Sequence, residues 1–275
     1  MNPSPDETNL LEFEDNVLTY HRHLIRSLDG TFSETGPLIW FATGRAYYPR
    51  FNGVLRTLVP PGQDLASVMA PALEHFRVNH LPFFWSDYPP GGAPGLADCL
   101  RGLPGFRGVY PLPAMGRSLV DLPEQRLAQE IRVAQLRTLQ QQAEWLEVFM
   151  EGFQNPEPTR PDYKEFLRRS VADPLYRFNH YLAYWQGVPC ATASVLRASQ
   201  AAGLYHVTTL PAYRGRGLGT AVTRAAMDAA RLMGYDRMVL FATSDGYPVY
   251  QRLGYVAGVS VDLYINMSSG PDQAA

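Results

Sequence analysis

Arg214-Gly215-Arg216-Gly217-Leu218-Gly219 has the composition of an anion cradle. Glycines at 215, 217 and 219 let a charged group reach the backbone with no Cβ in the way. Where such a turn opens a helix, unpaired amides and the positive end of the helix dipole converge on one point, which suits a phosphate. Two common phosphate grammars do not fit. A G-x-G-x-x-G fingerprint would need glycine where Thr220 stands, and the chain has no Gly-Lys-Ser/Thr tripeptide. The pattern that fits is R-x-x-G-x-G. A solvated surface turn has the same composition, and the hexapeptide alone leaves that reading open.

The flanking residues supply the elements such a turn needs. Leu204–Leu210, bounded by Gly203 and Pro211, is β-branched and aromatic and reads as a strand. After the turn, Leu218, Ala221, Val222, Ala225, Ala226 and Ala229 repeat as a buried helix face, with Arg224, Asp228 and Arg231 opposite. Gly234 and Asp236 close that helix, and Arg237–Ala242 reads as the next strand. A short segment then ends in Tyr250-Gln251-Arg252-Leu253-Gly254-Tyr255.

R-x-x-G-x-G followed at this separation by Tyr-x-x-Leu-Gly-Tyr resembles the GNAT superfamily of N-acetyltransferases. The resemblance covers the second half, from about Leu127, and implies an α/β (α+β) fold with a mixed, curved sheet flanked by helices. It implies acetyl-CoA as co-substrate and direct attack by a primary amine in a ternary complex. By alignment the pyrophosphate falls to the backbone of Gly215, Arg216, Gly217, Leu218, Gly219 and Thr220, with Arg214 and Arg216 as possible charges. In the family the preceding strand bulges and splays, freeing backbone groups for the pantetheine arm; the aligned positions are Val207, Thr208 and Thr209. Tyr250 aligns with the tyrosine that protonates the departing thiolate, a task a phenol can perform.

Two departures stand out. Thr243 replaces an asparagine that often contacts coenzyme A. Gly203 and Tyr205 occupy positions from which family members often draw a general base, and neither is a carboxylate or a histidine. An imidazole ordinarily titrates near neutrality, which makes His206 a candidate base, but strand alternation puts it on the opposite face unless a bulge resets the parity; a water relay or a base from the first half is equally open. A coenzyme-A-binding module that senses or scaffolds without turnover fits the same motifs; Tyr250 beside an intact glycine turn favours the enzyme.

The first half resembles a worn copy of the unit, offset by roughly 150 residues. Asn52–Val59 reads as a strand, Leu65, Val68, Met69, Ala72, Leu73 and Phe76 as a helix face, and Pro82–Ser86 as a strand. Leu103-Pro104-Gly105-Phe106 echoes the end of the Tyr250 motif. Pro60-Pro61-Gly62-Gln63-Asp64 replaces the arginine–glycine turn and places a carboxylate where a phosphate would sit. The expected division is a degenerate, non-catalytic domain over 1–125, structural or walling the acceptor site, and a catalytic domain over 126–275.

Composition narrows the partners. A formal net charge of −2 without a long basic run argues against nucleic acid. Two cysteines are too few for a disulfide framework, no stretch has transmembrane length, and the opening lacks the basic start of a signal peptide, so a cytoplasmic setting with no membrane partner is expected. His21-Arg22-His23 lacks a ligand cluster and reads as a surface pair, so no metal is expected; Asp6–Asp15 reads as a solvated tail or helix face. The resemblance implies a small-molecule or peptide amine as acceptor, and the oligomeric state is open.

Overall fold

The computed structural model describes residues 5–34, 36–88, 92–124 and 127–267. In chain order the elements are α1 (Pro5–Leu28), β1 (Thr31–Ser33), β2 (Leu38–Ala42), β3 (Asn52–Thr57), α2 (Leu65–Val78), β4 (Phe83–Asp87), α3 (Leu96–Arg101) and β5 (Phe106–Ser118). There follow β6 (Ile131–Gln135), α4 (Leu139–Gly152), α5 (Arg160–Ala172), β7 (Phe178–Trp185), β8 (Val188–Arg197), β9 (Ala202–Thr209), α6 (Leu218–Leu232), β10 (Arg237–Phe241), α7 (Tyr247–Arg252) and β11 (Val256–Asn266). These residues fall into two compact units. One takes the chain up to Tyr20 and Ala114–Gly258; the other takes His21–Pro113 and the chain from Val259 onward. The boundary expected at 125/126 lies outside the described residues.

In the first unit the strands run β5-β10-β9-β8-β7-β6, antiparallel except for the parallel pair β10–β9. Alternation along β7 sends Tyr181 and Ala183 into the core under α6, where they meet Leu218, Val222, Ala226 and Met227. His180 faces the other way and meets the Trp145 ring of α4 edge-on at 5.2 Å. One expected surface position differs: Arg224 is buried and pairs with Asp228 at 3.2 Å, one helical turn on. The acidic start lies on a helix, the second of the two expectations, and two of its carboxylates are not solvated. Glu12 is buried against Arg237 at 3.0 Å, and Asp15 accepts from the amides of Ser199 and Gln200 at 2.7 and 3.0 Å. Both fix α1 to this unit.

The second unit has strands β1-β2-β3-β4-β11 and repeats the β9-α6-β10-α7 order as β3-α2-β4-α3, with β3 and β4 again parallel. Its helix start is chemically different. Asp64 caps α2 with its own carboxylate, accepting from Ser67 N–H at 2.9 Å and Ser67 Oγ at 2.6 Å. The His21/His23 pair is also not a surface feature: His23 is buried, and His21 packs on Phe41 with ring centroids 4.6 Å apart.

Candidate active site

The site in the first unit begins with a bulge. Thr192 pairs with Thr208 and Ser194 with Tyr205, so Ala193 is opposed by two residues, His206 and Val207. His206 has φ 54°, the left-handed region, which absorbs the extra residue. The parity therefore resets. Tyr205 and His206 both face α1, α4 and α5, where Tyr205 stacks on Tyr20 at 4.8 Å and His206 meets Phe149 at 5.2 Å. Val207 turns to the α6 core, while Thr208 packs against Gly152 at the end of α4.

Next to the bulge, β9 separates from its parallel neighbour. Pairing with β10 is confined to Ala202 and Gly203. Beyond that point the β10-facing edge of β9 is open, leaving backbone groups of Val207, Thr208 and Thr209 on the wall of a cleft of about 870 Å³. The opposite wall is α7 with the segment before it, and the floor is the glycine turn.

The turn has the local geometry its sequence demands. Gly215 and Gly217 have φ of 77° and 79°, and a Cβ on either would meet no protein atom within 4 Å. Their faces are open toward a ligand. The first bond inside α6 runs from Ala221 N–H to the Gly217 carbonyl at 2.9 Å, and the helix has no side-chain N-cap. The amides of Leu218, Gly219 and Thr220 are thus the unspent donors of a helix start, beside those of the turn. Gly219 permits close approach of Thr209, whose Oγ1 would stand 3.4 Å from a Cβ there. This cradle fits a pyrophosphate: a small-residue concavity with converging donors and no competing carboxylate cap.

The two arginines of the motif diverge. Arg214 lines the cleft, donates to the Thr209 carbonyl at 3.3 Å and lies 3.8 Å from Asp245. Arg216 turns its guanidinium onto the rings of Trp185 and Tyr213, at 5.2 and 5.4 Å, and does not line the cleft. Sequence could not separate the two, because each has a partner 31 residues away, Asp245 for Arg214 and Trp185 for Arg216.

Tyr250 is buried and lines the same cleft. Gly246 makes room for it; a Cβ there would stand 2.9 Å from the ring. Tyr255 packs edge-on at 5.7 Å. Burial pushes the Tyr250 phenol above its ordinary pKa, and burial followed by the nearby Tyr250 does the same to Tyr255. Tyr250 therefore keeps its proton across the neutral range. Thr243 also reaches the cleft; its Oγ1 accepts from Gly246 N–H at 3.2 Å, so it shapes the approach to α7. Arg252 and Asp245 were not legible as cleft residues from their sequence positions.

Residues 142–255 match the acetyltransferase (GNAT) family. The chain is 27% identical over 177 residues to a mycothiol acetyltransferase of Catenulispora acidiphila, covering 60% of this chain and 56% of that protein. It thus spans about half the length of the curated relative it matches. Among solved structures it is similar to a GCN5-related N-acetyltransferase from Kribbella flavida, with TM-score 0.67 and 19% identity over 90% of this chain and 94% of that one. It is also similar to one from Sphaerobacter thermophilus, with TM-score 0.66 and 16% identity over 86% and 78%. A tandem GNAT protein from the clavulanic acid biosynthesis pathway superposes with TM-score 0.60 at 14% identity over 86% and 79%.

Proposed function

We propose that this chain, whose residues 142–255 match the GNAT acetyltransferase family, is an acetyl-CoA-dependent N-acetyltransferase that delivers its acetyl group to a primary amine of a small molecule or peptide. The observation that carries this reading is a coincidence in space. The open edge of β9, the uncapped start of α6 and Tyr250 line one cleft. Acetyl-CoA would supply an activated thioester, and the remaining work falls to the protein.

The amides of Gly215–Thr220 hold the pyrophosphate, which fixes the long substrate by its most charged part. Backbone donors of Val207–Thr209 orient the pantetheine arm and offset the negative charge that develops on the thioester oxygen. Tyr250 gives its proton to the departing sulfur, and its raised pKa keeps that proton in place until the thiolate forms. An acceptor amine, in its neutral form, attacks the thioester carbonyl directly, so both substrates are bound together. The carbon–sulfur bond breaks, the proton shed by nitrogen passes to solvent, and Tyr250 regains its own from solvent.

Incubation with acetyl-CoA and a panel of primary amines, read as free thiol, tests the proposal. Thiol release that depends on an amine is the expected result. Tight acetyl-CoA binding with no thiol release for any amine would favour a coenzyme-A sensor instead.

A further inference from the structure

Five side chains form a hydrogen-bonded line behind β9 that the mechanism above does not use. Ser170 Oγ stands 2.9 Å from the Leu167 carbonyl and 2.7 Å from His180 Nε2. His180 Nδ1 is 2.7 Å from Ser194 Oγ, which is 3.1 Å from His206 Nδ1. His206 Nε2 is 3.1 Å from the hydroxyl of Tyr20, a residue 186 positions away on α1.

Proton counting gives the line one direction. A carbonyl only accepts, so Ser170 spends its O–H on Leu167, and His180 must carry its proton on Nε2. Its Nδ1 then accepts from Ser194, whose oxygen accepts from His206 Nδ1–H. His206 Nε2 is left to accept from Tyr20. Every link is satisfied with both imidazoles neutral, and burial holds both pKa values down. The line ends at a carbonyl, which gives a proton no exit. It is a fixture and not a relay.

What it fixes is the bulge. His206 sits at φ 54°, a conformation that costs a non-glycine residue energy unless its surroundings impose it. Thr192 Oγ1 donates to its carbonyl at 2.7 Å, and Ser194 and Tyr20 hold its ring from both nitrogens. The turn of the backbone at this residue sets the direction of Val207, Thr208 and Thr209 in the cleft.

We infer that Tyr20 and His206 are positioning residues for acetyl-CoA: α1 clamps the His206 ring and thereby holds the β9 edge in the shape that receives the pantetheine arm. This rests on the functional reading above. It makes the N-terminal helix a working part of the unit that resembles an acetyltransferase.

The test compares two ligands by calorimetry on the full chain. Acetyl-CoA engages both the glycine turn and the β9 edge, whereas ADP carries the pyrophosphate without the pantetheine. His206→Asn keeps a side chain that tolerates left-handed backbone but loses the ring. Acetyl-CoA affinity should fall by about tenfold, the scale of one or two hydrogen bonds, with ADP affinity unchanged. Tyr20→Phe keeps the stack on Tyr205, removes only the hydroxyl, and should weaken acetyl-CoA by about threefold or more with the same split; it decides the matter if the asparagine variant does not fold. Acetyl-CoA affinity within about twofold of wild type in Tyr20→Phe overturns the inference, as does an equal loss for ADP, which signals general damage. Wild-type protein that binds neither ligand would remove the functional reading, and this inference with it.

Discussion

The side-chain oxygen of Asn16, on α1, occupies the place where a Cβ on residue 203 of β9 would have to stand. Asn16 cannot easily leave, because its Nδ2 donates to the carbonyls of Glu12 and Ala201 at 3.0 and 3.1 Å. The room beside residue 203 is here filled from another part of the chain. Gly203→Ala should therefore cost about 1–3 kcal/mol by overpacking, read as the urea midpoint. Asn16→Ala in the same chain should recover part of that loss. If the two changes prove additive, the contact does not explain the glycine.

The two helix starts make opposite forecasts for acetyl-CoA. That of α6 is uncapped and glycine-rich, while that of α2 is already occupied by the Asp64 carboxylate, held low in pKa by Ser67. Calorimetry should give a single acetyl-CoA site per chain. Gly217→Val should abolish most of the affinity, at least about tenfold, because φ of 79° is strained for a β-branched residue and the new side chain enters the cradle. The turn is exposed, so the fold should survive. Unchanged affinity in a folded Gly217→Val protein would falsify the assignment of the turn.

What the sequence revealed and what it hid follow from the range of the interactions. The β9–turn–α6–β10 run is specified locally: by branched residues, by glycines that need φ near 77–79°, and by a helical apolar stripe. The docking of α1 was hidden because Glu12 and Asp15 look like solvated charges until Arg237 and the Ser199–Gln200 amides are folded against them. Arg224 was misplaced although its partner Asp228 is only four residues on: local spacing shows the pair, but not that the helix face carrying Arg224 is covered. Strand β5 carries Gly108, Pro111, Pro113 and Gly116, which read as breakers in a local window. The His206 parity turned on a bulge, which no alternation rule can place.

Acid should destabilise the first unit through its buried histidines. An unfolded His206 takes a proton near its ordinary 6.5, but burial holds the folded residue down to about 3. Between those values the unfolded chain binds a proton that the folded chain refuses, so stability is fully present above the unfolded pKa and declines as pH falls through the window. His180 is pushed the same way, by burial and then by His206. In His206→Asn the slope of unfolding free energy against pH, between about 6 and about 4, should be shallower by roughly one proton. Parallel slopes in variant and wild type would mean that folded His206 is charged in this range.

Tyr250 gives the most direct test of the chemistry. Its ring packs beside Tyr255 and under Gly246, so Tyr250→Phe removes one oxygen and keeps the packing. If the phenol protonates the departing thiolate, the chemical step should slow by roughly 10²–10⁴-fold. Acetyl-CoA affinity should hardly change, since the lost interaction matters as charge develops on sulfur and not in the bound ground state. A role limited to packing makes the reverse forecast, with normal chemistry and a small loss of stability. Slow product release can mask a change in chemistry, so the measurement is made in a single turnover. A rate within about threefold of wild type would assign the proton to water, because removing a general acid costs far more than that.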